Sequence, residues 1–94
     1  MTLLSDAEIE QRIATVGEWR RHGRDSIVRE EKLADFAGAI AFVNRVAELA
    51  EQANHHPDML VHGWNRVRLT LSTHSEGGLT EADFELAARI DRLA

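Results

Sequence analysis

The chain has 94 residues, and its 11 Lys and Arg against 16 Asp and Glu give a formal net charge of −5 at pH 7. This acidic balance supplies no basic surface for a phosphate backbone, which argues against direct nucleic-acid binding. The absence of cysteine excludes disulfides and thiolate chemistry. Without a signal peptide or a long apolar run, the sequence predicts a soluble, cytoplasmic protein with no membrane contact. No Pro/Gly/Ser-rich stretch divides the chain, so we expect a single domain over 1–94.

The N-terminal third predicts one helix and a short hairpin. Ser5, followed three residues later by Glu8, forms a capping-box pattern that places a helix over 5–16. The apolar residues of this helix recur on one stripe: Ile9, Ile13 and Val16. The turn-like Gly23-Arg24-Asp25, next to the apolar pair Ile27-Val28, then indicates a hairpin.

The longest predicted helix covers 36–53. Asp35 is a suitable N-cap, and the helix must stop near His55-His56-Pro57 because proline lacks an N–H and restricts the residue before it. We expect its buried side to be one apolar stripe made of Phe36, Ile40, Val43, Ala47 and Ala50, widened by Phe42, Val46 and Leu49.

The C-terminal part predicts two strands and a last helix. Residues 59–61 form a short apolar strand, and 66–73 alternate strictly between apolar and polar, which is typical of a half-buried strand. After Gly77-Gly78, Thr80 caps a helix that runs to the C-terminus, with Asp83 at its third position. Its inward residues are Leu86, Ala87, Ile90 and Leu93. The order αββαββα favours an α+β fold in which helices cover an antiparallel sheet.

Three histidines are the candidates for chemistry. His55 and His56 lie where the long helix stops, and His74 follows the alternating strand, which can return it toward the first two. Imidazole titrates near neutral pH, so such a cluster can donate one proton and remove another, as a dehydration requires. Two other interpretations fit the spacing: histidines that only satisfy helix-end carbonyls, and a zinc site, which adjacent histidines on an extended chain disfavour.

A longer pattern resembles a known family. Glu51, three spacers, His55-His56-Pro57, six spacers, Trp64, nine spacers, His74, eight spacers and Asp83 reproduce the signature of the pterin-4a-carbinolamine dehydratases. The resemblance covers the chain well from about Asp35 onward and the N-terminal third only in outline. It implies a four-stranded antiparallel sheet with three helices packed on one face, and association into dimers or tetramers.

The resemblance also implies a hydro-lyase that converts 4a-hydroxytetrahydrobiopterin to quinonoid dihydropterin, in recycling that serves aromatic amino-acid hydroxylases. It implies no cofactor and no metal. The implied catalytic residues are His55, His56 and His74; we expect His55 and His74 to transfer protons and His56 to position the ring. The implied pterin-binding residues are these three with Asn54, Trp64, Ser72, Thr73 and Ser75.

Two acidic residues of the signature have open roles. Glu51 either orients an imidazole or is an ordinary solvated helix residue. Asp83 either orients an imidazole or bonds back to the start of the last helix, and we favour the helix role because Asp83 occupies the third position after the Thr80 cap. His22 and His62 match no signature position and are expected at the surface.

Some features depart from the family. Glu30-Glu31-Lys32-Leu33 stands where the family usually has alternating aromatics, Trp19 is displaced by one position, and the loop between Pro57 and Trp64 is one residue longer than usual. If these residues line the pocket or an assembly contact, substrate binding or association will differ from that of the family. The alternative function is a non-catalytic interaction protein, since animal members also act as dimerisation cofactors, and thus coactivators, of a homeodomain transcription factor.

Overall fold

The computed structural model describes residues 2–93, which form three helices and four strands in the predicted order αββαββα. The elements are α1 (Asp6–Ile13), β1 (Arg20–His22), β2 (Ser26–Lys32), α2 (Phe36–Ala53), β3 (Asp58–His62), β4 (Arg66–Leu71) and α3 (Glu81–Asp91). A short 3-10 turn, His74–Glu76, lies between β4 and α3. No helix within the described part of the chain is long and apolar enough to cross a membrane.

The four strands form one antiparallel sheet in the order β1-β2-β4-β3. Its inner face is apolar because β4 alternates as its sequence predicts, with Val67, Leu69 and Leu71 fully buried. The helices cover this face, so the α+β class and the three-helix, four-strand arrangement are confirmed. The strand predicted over 66–73 ends at Leu71, and Thr73 instead forms an isolated bridge with Gly78.

All three predicted helix starts are confirmed by their caps. Ser5 and Glu8 form a capping box, Asp35 accepts a hydrogen bond from the Gly38 N–H at 2.7 Å, and Thr80 opens α3. The helix ends differ more from expectation. Helix α1 stops at Ile13, although Val16 is still buried in the turn that follows, and α3 stops at Asp91 before reaching the C-terminus.

The buried stripe of α2 differs from the predicted one. Its buried residues are Ala39, Phe42, Val46 and Ala50. Phe36 and Ile40, which headed the predicted stripe, are 55% and 37% exposed. Because α2 is apolar around more than half of its circumference, periodicity alone did not decide which side faces the sheet.

A polar cluster lies inside the fold between β2 and α3. Asp91 accepts hydrogen bonds from Trp19 Nε1 at 2.8 Å and from the Arg29 guanidinium, which also pairs with Glu31. Arg29 is 5% exposed and Trp19 is 3% exposed. The displaced Trp19 is therefore a core residue, and the charged Arg29 of β2 points inward rather than into water.

Candidate active site

The end of α2 positions His55. Asn54 adopts the left-handed conformation (φ 49°, ψ 43°) that ends many helices and that asparagine tolerates better than most residues. The His55 N–H donates to the Ala50 carbonyl at 3.1 Å. The chain therefore turns sharply before Pro57, and the His55 side chain points inward, where it is only 13% exposed.

A buried carboxylate holds His55. His55 Nε2 lies 2.6 Å from Asp83 Oδ1, and the Asp83 side chain is fully buried. The second oxygen, Oδ2, accepts hydrogen bonds from Thr73 Oγ1 at 2.8 Å and from the Thr80 N–H at 2.9 Å. Thr73 Oγ1 is also 2.8 Å from Thr80 Oγ1. Asp83 thus bonds back to the start of α3 and also contacts the His55 imidazole.

These contacts determine which nitrogen of His55 carries hydrogen. Thr73 and Thr80 act as donors to Asp83, and a carboxylate offers only acceptor sites. Nε2 of His55 is then the third donor, so the network assigns the hydrogen to Nε2. Nδ1 remains the ring nitrogen that can exchange a proton with a bound molecule.

His74 lies at the same end of the sheet as His55. It begins the 3-10 turn after β4 and follows directly on Thr73, whose hydroxyl contacts the carboxylate that holds His55. Gly77 closes this turn with φ 75°, a conformation that favours glycine. His74 is exposed at a cavity of about 340 Å³ lined by Asp25, Ser26, Asp58, Thr70, Ser72, His74 and Gly77.

His56 is placed differently from its neighbour. Its Nε2 pairs with Glu51 one turn back on α2, so the imidazole that Glu51 contacts is that of His56. The two side chains are 59% and 76% exposed. Exposed polar contacts contribute little to stability, and this one holds the His56 ring on the surface beside the end of α2.

Of the other residues predicted to bind the pterin, two lie at or beside the His74 cavity and two do not line it. Ser72 lines the His74 cavity, but its hydroxyl donates to the Asp25 carbonyl at 2.6 Å, and Ser75 is exposed in the adjoining turn. Thr73 is 5% exposed, with its hydroxyl engaged by Asp83 and Thr80. Thr73 therefore contacts the carboxylate that holds His55 and does not face the cavity, whereas Asn54 is exposed and forms the C-cap of α2.

The structure does not bring Trp64 to the histidines. Trp64 lies in the turn between β3 and β4, next to the His62–Arg66 pair, whereas the cavity lies at the Asp58–Thr70 end of the same hairpin. Since an antiparallel strand advances about 3.4 Å per residue, roughly 14 Å separates the two ends of β3. Trp64 is 62% exposed, so within one chain it forms no wall beside His55 or His74.

Of the other two histidines, His62 lies at the opposite end of the sheet, whereas His22 lies at the same end but on the far edge, where it pairs with Ser26. His22 is exposed at the end of β1, and His62 at the far end of β3 contacts Glu30 at 3.0 Å while remaining partly exposed. Among residues 2–93, no three His, Cys, Asp or Glu side chains are grouped so that they could hold a metal ion. At His55 the imidazole is held by one buried carboxylate, that of Asp83.

Sequence reasoning missed three residues near the site. Thr80 was identified only as a helix cap, yet its hydroxyl reaches Thr73 and its N–H reaches Asp83. Asp25 and Asp58 line the His74 cavity from the β1–β2 turn and from the start of β3. The Gly23-Arg24-Asp25 turn and the position of Asp58 after Pro57 were visible signals, but their proximity to His74 depends on strand pairing.

Comparison with known proteins gives the family. A family model described as pterin 4 alpha carbinolamine dehydratase matches residues 2–93. The chain belongs to this family. A Chloroflexus aggregans protein with the provisional name pterin-4-alpha-carbinolamine dehydratase is 52% identical over 93 residues, which cover 99% of this chain and 98% of that protein. A Thermomicrobium roseum protein with the same provisional name is 48% identical over 94 residues, covering 100% and 99%.

Solved structures of the dehydratase family show the same fold. The crystal structure of a transcriptional coactivator/pterin dehydratase from Brucella melitensis superimposes with a TM-score of 0.92 at 35% identity, covering 99% of both chains. A pterin dehydratase-like protein described as a RuBisCO assembly factor in the alpha-carboxysome gives a TM-score of 0.69 at 30% identity, covering 82% of this chain and 89% of that one. The dehydratase fold is thus found in proteins with different described roles.

Proposed function

We propose that this chain is a hydro-lyase that dehydrates 4a-hydroxytetrahydrobiopterin to quinonoid dihydropterin. In this reaction the C4a–O bond breaks, N5 loses its proton, a C4a=N5 bond forms and water leaves. The observation that carries the proposal is the 2.6 Å contact between His55 and the buried Asp83, at the end of the sheet where His74 also lies. Family membership over residues 2–93 supports the substrate class.

His55 and His74 would divide the two proton transfers. Asp83 holds Nε2 of His55 and leaves Nδ1 for the substrate, so His55 can act at one atom of the C4a–N5 pair. His74 approaches the same end of the sheet from the turn after β4 and can act at the other atom. One group protonates the departing hydroxyl while the other takes the N5 proton, and each well-placed group contributes roughly 10²–10⁴-fold.

The other predicted contacts complete the proposal. His56, held by Glu51, would position the pterin at the mouth of the site, and the open cavity beside His74 would receive part of the ring. Imidazoles perform both transfers near neutral pH without a metal or cofactor. A hydroxylase that supplies the substrate remains a prediction from the family resemblance, and a cytoplasmic location remains a prediction from the sequence.

Stopped-flow absorbance tests the proposal directly. A hydroxylase generates 4a-hydroxytetrahydropterin, and its decay is followed with wild-type protein, His55→Ala and His74→Ala, against the uncatalysed rate. We expect wild type to accelerate the decay, and the acceleration to fall by roughly 10²-fold or more in each variant. The matched control is His62→Ala, a histidine at the opposite end of β3 from the site, which should retain wild-type activity. Folded wild type that gives no acceleration would refute the dehydratase.

Binding to other proteins, including a second copy of this chain, is the second candidate function. The observation that favours it is the exposure of large apolar side chains on α2 and on the edge strand β3: Phe36, Ile40, Met59 and Leu60. The described roles of the two structural neighbours, one a coactivator/dehydratase and one an assembly factor, are consistent with such binding. A homodimer or homotetramer would cover these residues.

Sedimentation velocity tests self-association. We expect wild type to sediment as a dimer or tetramer, and Ile40→Glu or Leu60→Glu to shift it toward the monomer, because a buried charge opposes an apolar contact. Gln11→Glu, on the exposed side of α1, changes the charge equally and should leave the mass unchanged. A wild-type monomer at all accessible concentrations would exclude the self-association.

A further inference from the structure

The buried hydroxyl pair behind the site is the feature that the dehydratase reaction does not use directly. Thr73 Oγ1 lies 2.8 Å from Asp83 Oδ2 and 2.8 Å from Thr80 Oγ1. Thr73 is 5% exposed, Thr80 is 1% exposed and Asp83 is completely buried. Neither hydroxyl therefore reaches a molecule bound at the surface of the site.

The hydrogen bonds of this pair have one consistent direction. Asp83 Oδ2 can only accept, so the single hydroxyl proton of Thr73 points to it. Thr73 Oγ1 then has only lone pairs left for Thr80, and the Thr80 hydroxyl donates to it. Two donors, Thr73 Oγ1 and the Thr80 N–H, consequently converge on Oδ2, which leaves Oδ1 to His55.

We propose that Thr73 and Thr80 are positioning residues that fix the Asp83 carboxylate and thereby hold His55 as the tautomer with its hydrogen on Nε2. With two donors on Oδ2, the carboxylate cannot rotate about its Cβ–Cγ bond without losing buried hydrogen bonds, which is costly in a buried site. Oδ1 therefore remains aimed at Nε2, and Nδ1 stays directed to the substrate side. The catalytic value of this tautomer rests on the proposed dehydratase function.

The arrangement also links the start of α3 to the site. The Thr80 N–H that bonds to Asp83 belongs to the helix cap, so the same carboxylate ends one helix and orients the imidazole at the end of another. A shift of this helix start would move Oδ1 relative to His55. Misplacement of a reacting group by about 1 Å can cost about 10²-fold in rate.

The test is nitrogen-15 NMR of the full chain labelled in its histidines, recorded at about pH 8.5, above the ordinary titration of imidazole. The variants are Thr73→Val, which removes the hydroxyl at nearly constant volume, and Thr73→Ser, which restores it. Thr15→Val controls for the loss of a hydroxyl bond far from the site, where Thr15 Oγ1 donates to the Arg12 carbonyl.

We expect the His55 signals of wild type, Thr73→Ser and Thr15→Val to show the Nε2–H tautomer, and those of Thr73→Val to show a mixture. In stopped-flow measurements, kcat of Thr73→Val should fall about tenfold or more with KM changed less than about twofold, and Thr73→Ser should recover most of it. Thr80→Val retains the backbone donor to Asp83. It should therefore change the tautomer mixture and kcat in the same direction as Thr73→Val, but by less.

Several outcomes would overturn the positioning role. One is a wild-type His55 that carries its hydrogen on Nδ1, which needs no variant and therefore does not depend on how Thr73→Val folds. Another is a folded Thr73→Val with unchanged tautomer, or a Thr73→Ser that behaves like Thr73→Val. The NMR result is independent of substrate. A tautomer shift in a protein without dehydratase activity would keep the positioning role and refute only the proposed function.

Discussion

Nε2 of His55 and Oδ1 of Asp83 lie 2.6 Å apart, although 28 positions separate the two residues in the sequence. Asp83 also accepts the Thr80 N–H at the start of α3. One fully buried carboxylate therefore connects the end of α2, the end of β4 and the beginning of α3. The geometry makes this residue important for both stability and the proposed chemistry.

Replacing Asp83 with Asn should damage both properties. The amide brings donors into a position surrounded by three donors, so we expect a loss of about 1–3 kcal/mol in the free energy of unfolding, measured by urea denaturation. The kcat of the proposed dehydration should fall about 10²-fold or more, since His55 loses its acceptor. Glu8→Gln is the control, because Glu8 has the same capping-box position in α1 but is exposed. Wild-type kcat in Asp83→Asn would contradict the orienting role.

Truncation of two phenylalanines on α2 should separate the buried side of the helix from its exposed side. Phe42 is 1% exposed, so Phe42→Ala should lower the free energy of unfolding by about 3–5 kcal/mol through lost burial and a cavity. Phe36, 55% exposed, makes the matched comparison, and Phe36→Ala should cost less than about 1 kcal/mol in the monomer. Equal losses in urea denaturation would show that the helix buries a different side.

Asp91→Ala should lower the free energy of unfolding by disrupting the internal polar cluster. The substitution leaves the Trp19 indole N–H and the buried Arg29 guanidinium without their shared acceptor. We expect a loss of about 1–3 kcal/mol in thermal or urea unfolding, because two buried donors lose their acceptor and Arg29 keeps only Glu31 as a charge partner. Asp6→Ala breaks an exposed pair with Arg21 and should cost less than about 1 kcal/mol. A loss for Asp91→Ala no larger than for Asp6→Ala would argue against the cluster.

Glu30 should contribute stability that disappears in acid. Burial raises the pKa of Glu30, but hydrogen bonds from Arg68 and His62 outweigh it, so this pKa lies below its usual value of 4.5. A lowered pKa in the folded state stabilises the fold above the unfolded value, and that stability is lost as the pH falls through the folded value.

The Glu30 prediction is measured as the difference in unfolding free energy between wild type and Glu30→Gln from pH 7 to pH 3. Because the pair is largely exposed, we expect a difference below about 1 kcal/mol that is constant above pH 4.5 and shrinks below it. Glu48→Gln, on the exposed surface of α2, controls for the loss of one negative charge. A difference that grows in acid would have the wrong sign.

Local sequence patterns predicted the elements well where a cap and a period agree. Asp35 and the proline after His56 bounded α2 at the observed Phe36–Ala53, and strict alternation identified the buried residues of β4. The prediction for α2 was right for Phe42, Val46 and Ala50 but wrong for Phe36 and Ile40, because these side chains are similarly apolar and only packing distinguishes them. Likewise, Trp64 belongs to the family signature, but the length of β3 keeps it from the histidines within one chain.

The sequence by itself determined the element order, the helix caps and the residue types at the candidate site, because these depend on neighbours only a few positions apart. The family pattern of Glu51, the histidines and Asp83 added the expected chemistry. Only the tertiary structure decided that Asp83 holds His55, that Glu51 holds His56 and that the buried Thr73 hydroxyl contacts Asp83. Such pairings depend on how α2, β4 and α3 pack, and a hydrogen bond forms only where packing brings donor and acceptor within about 3 Å.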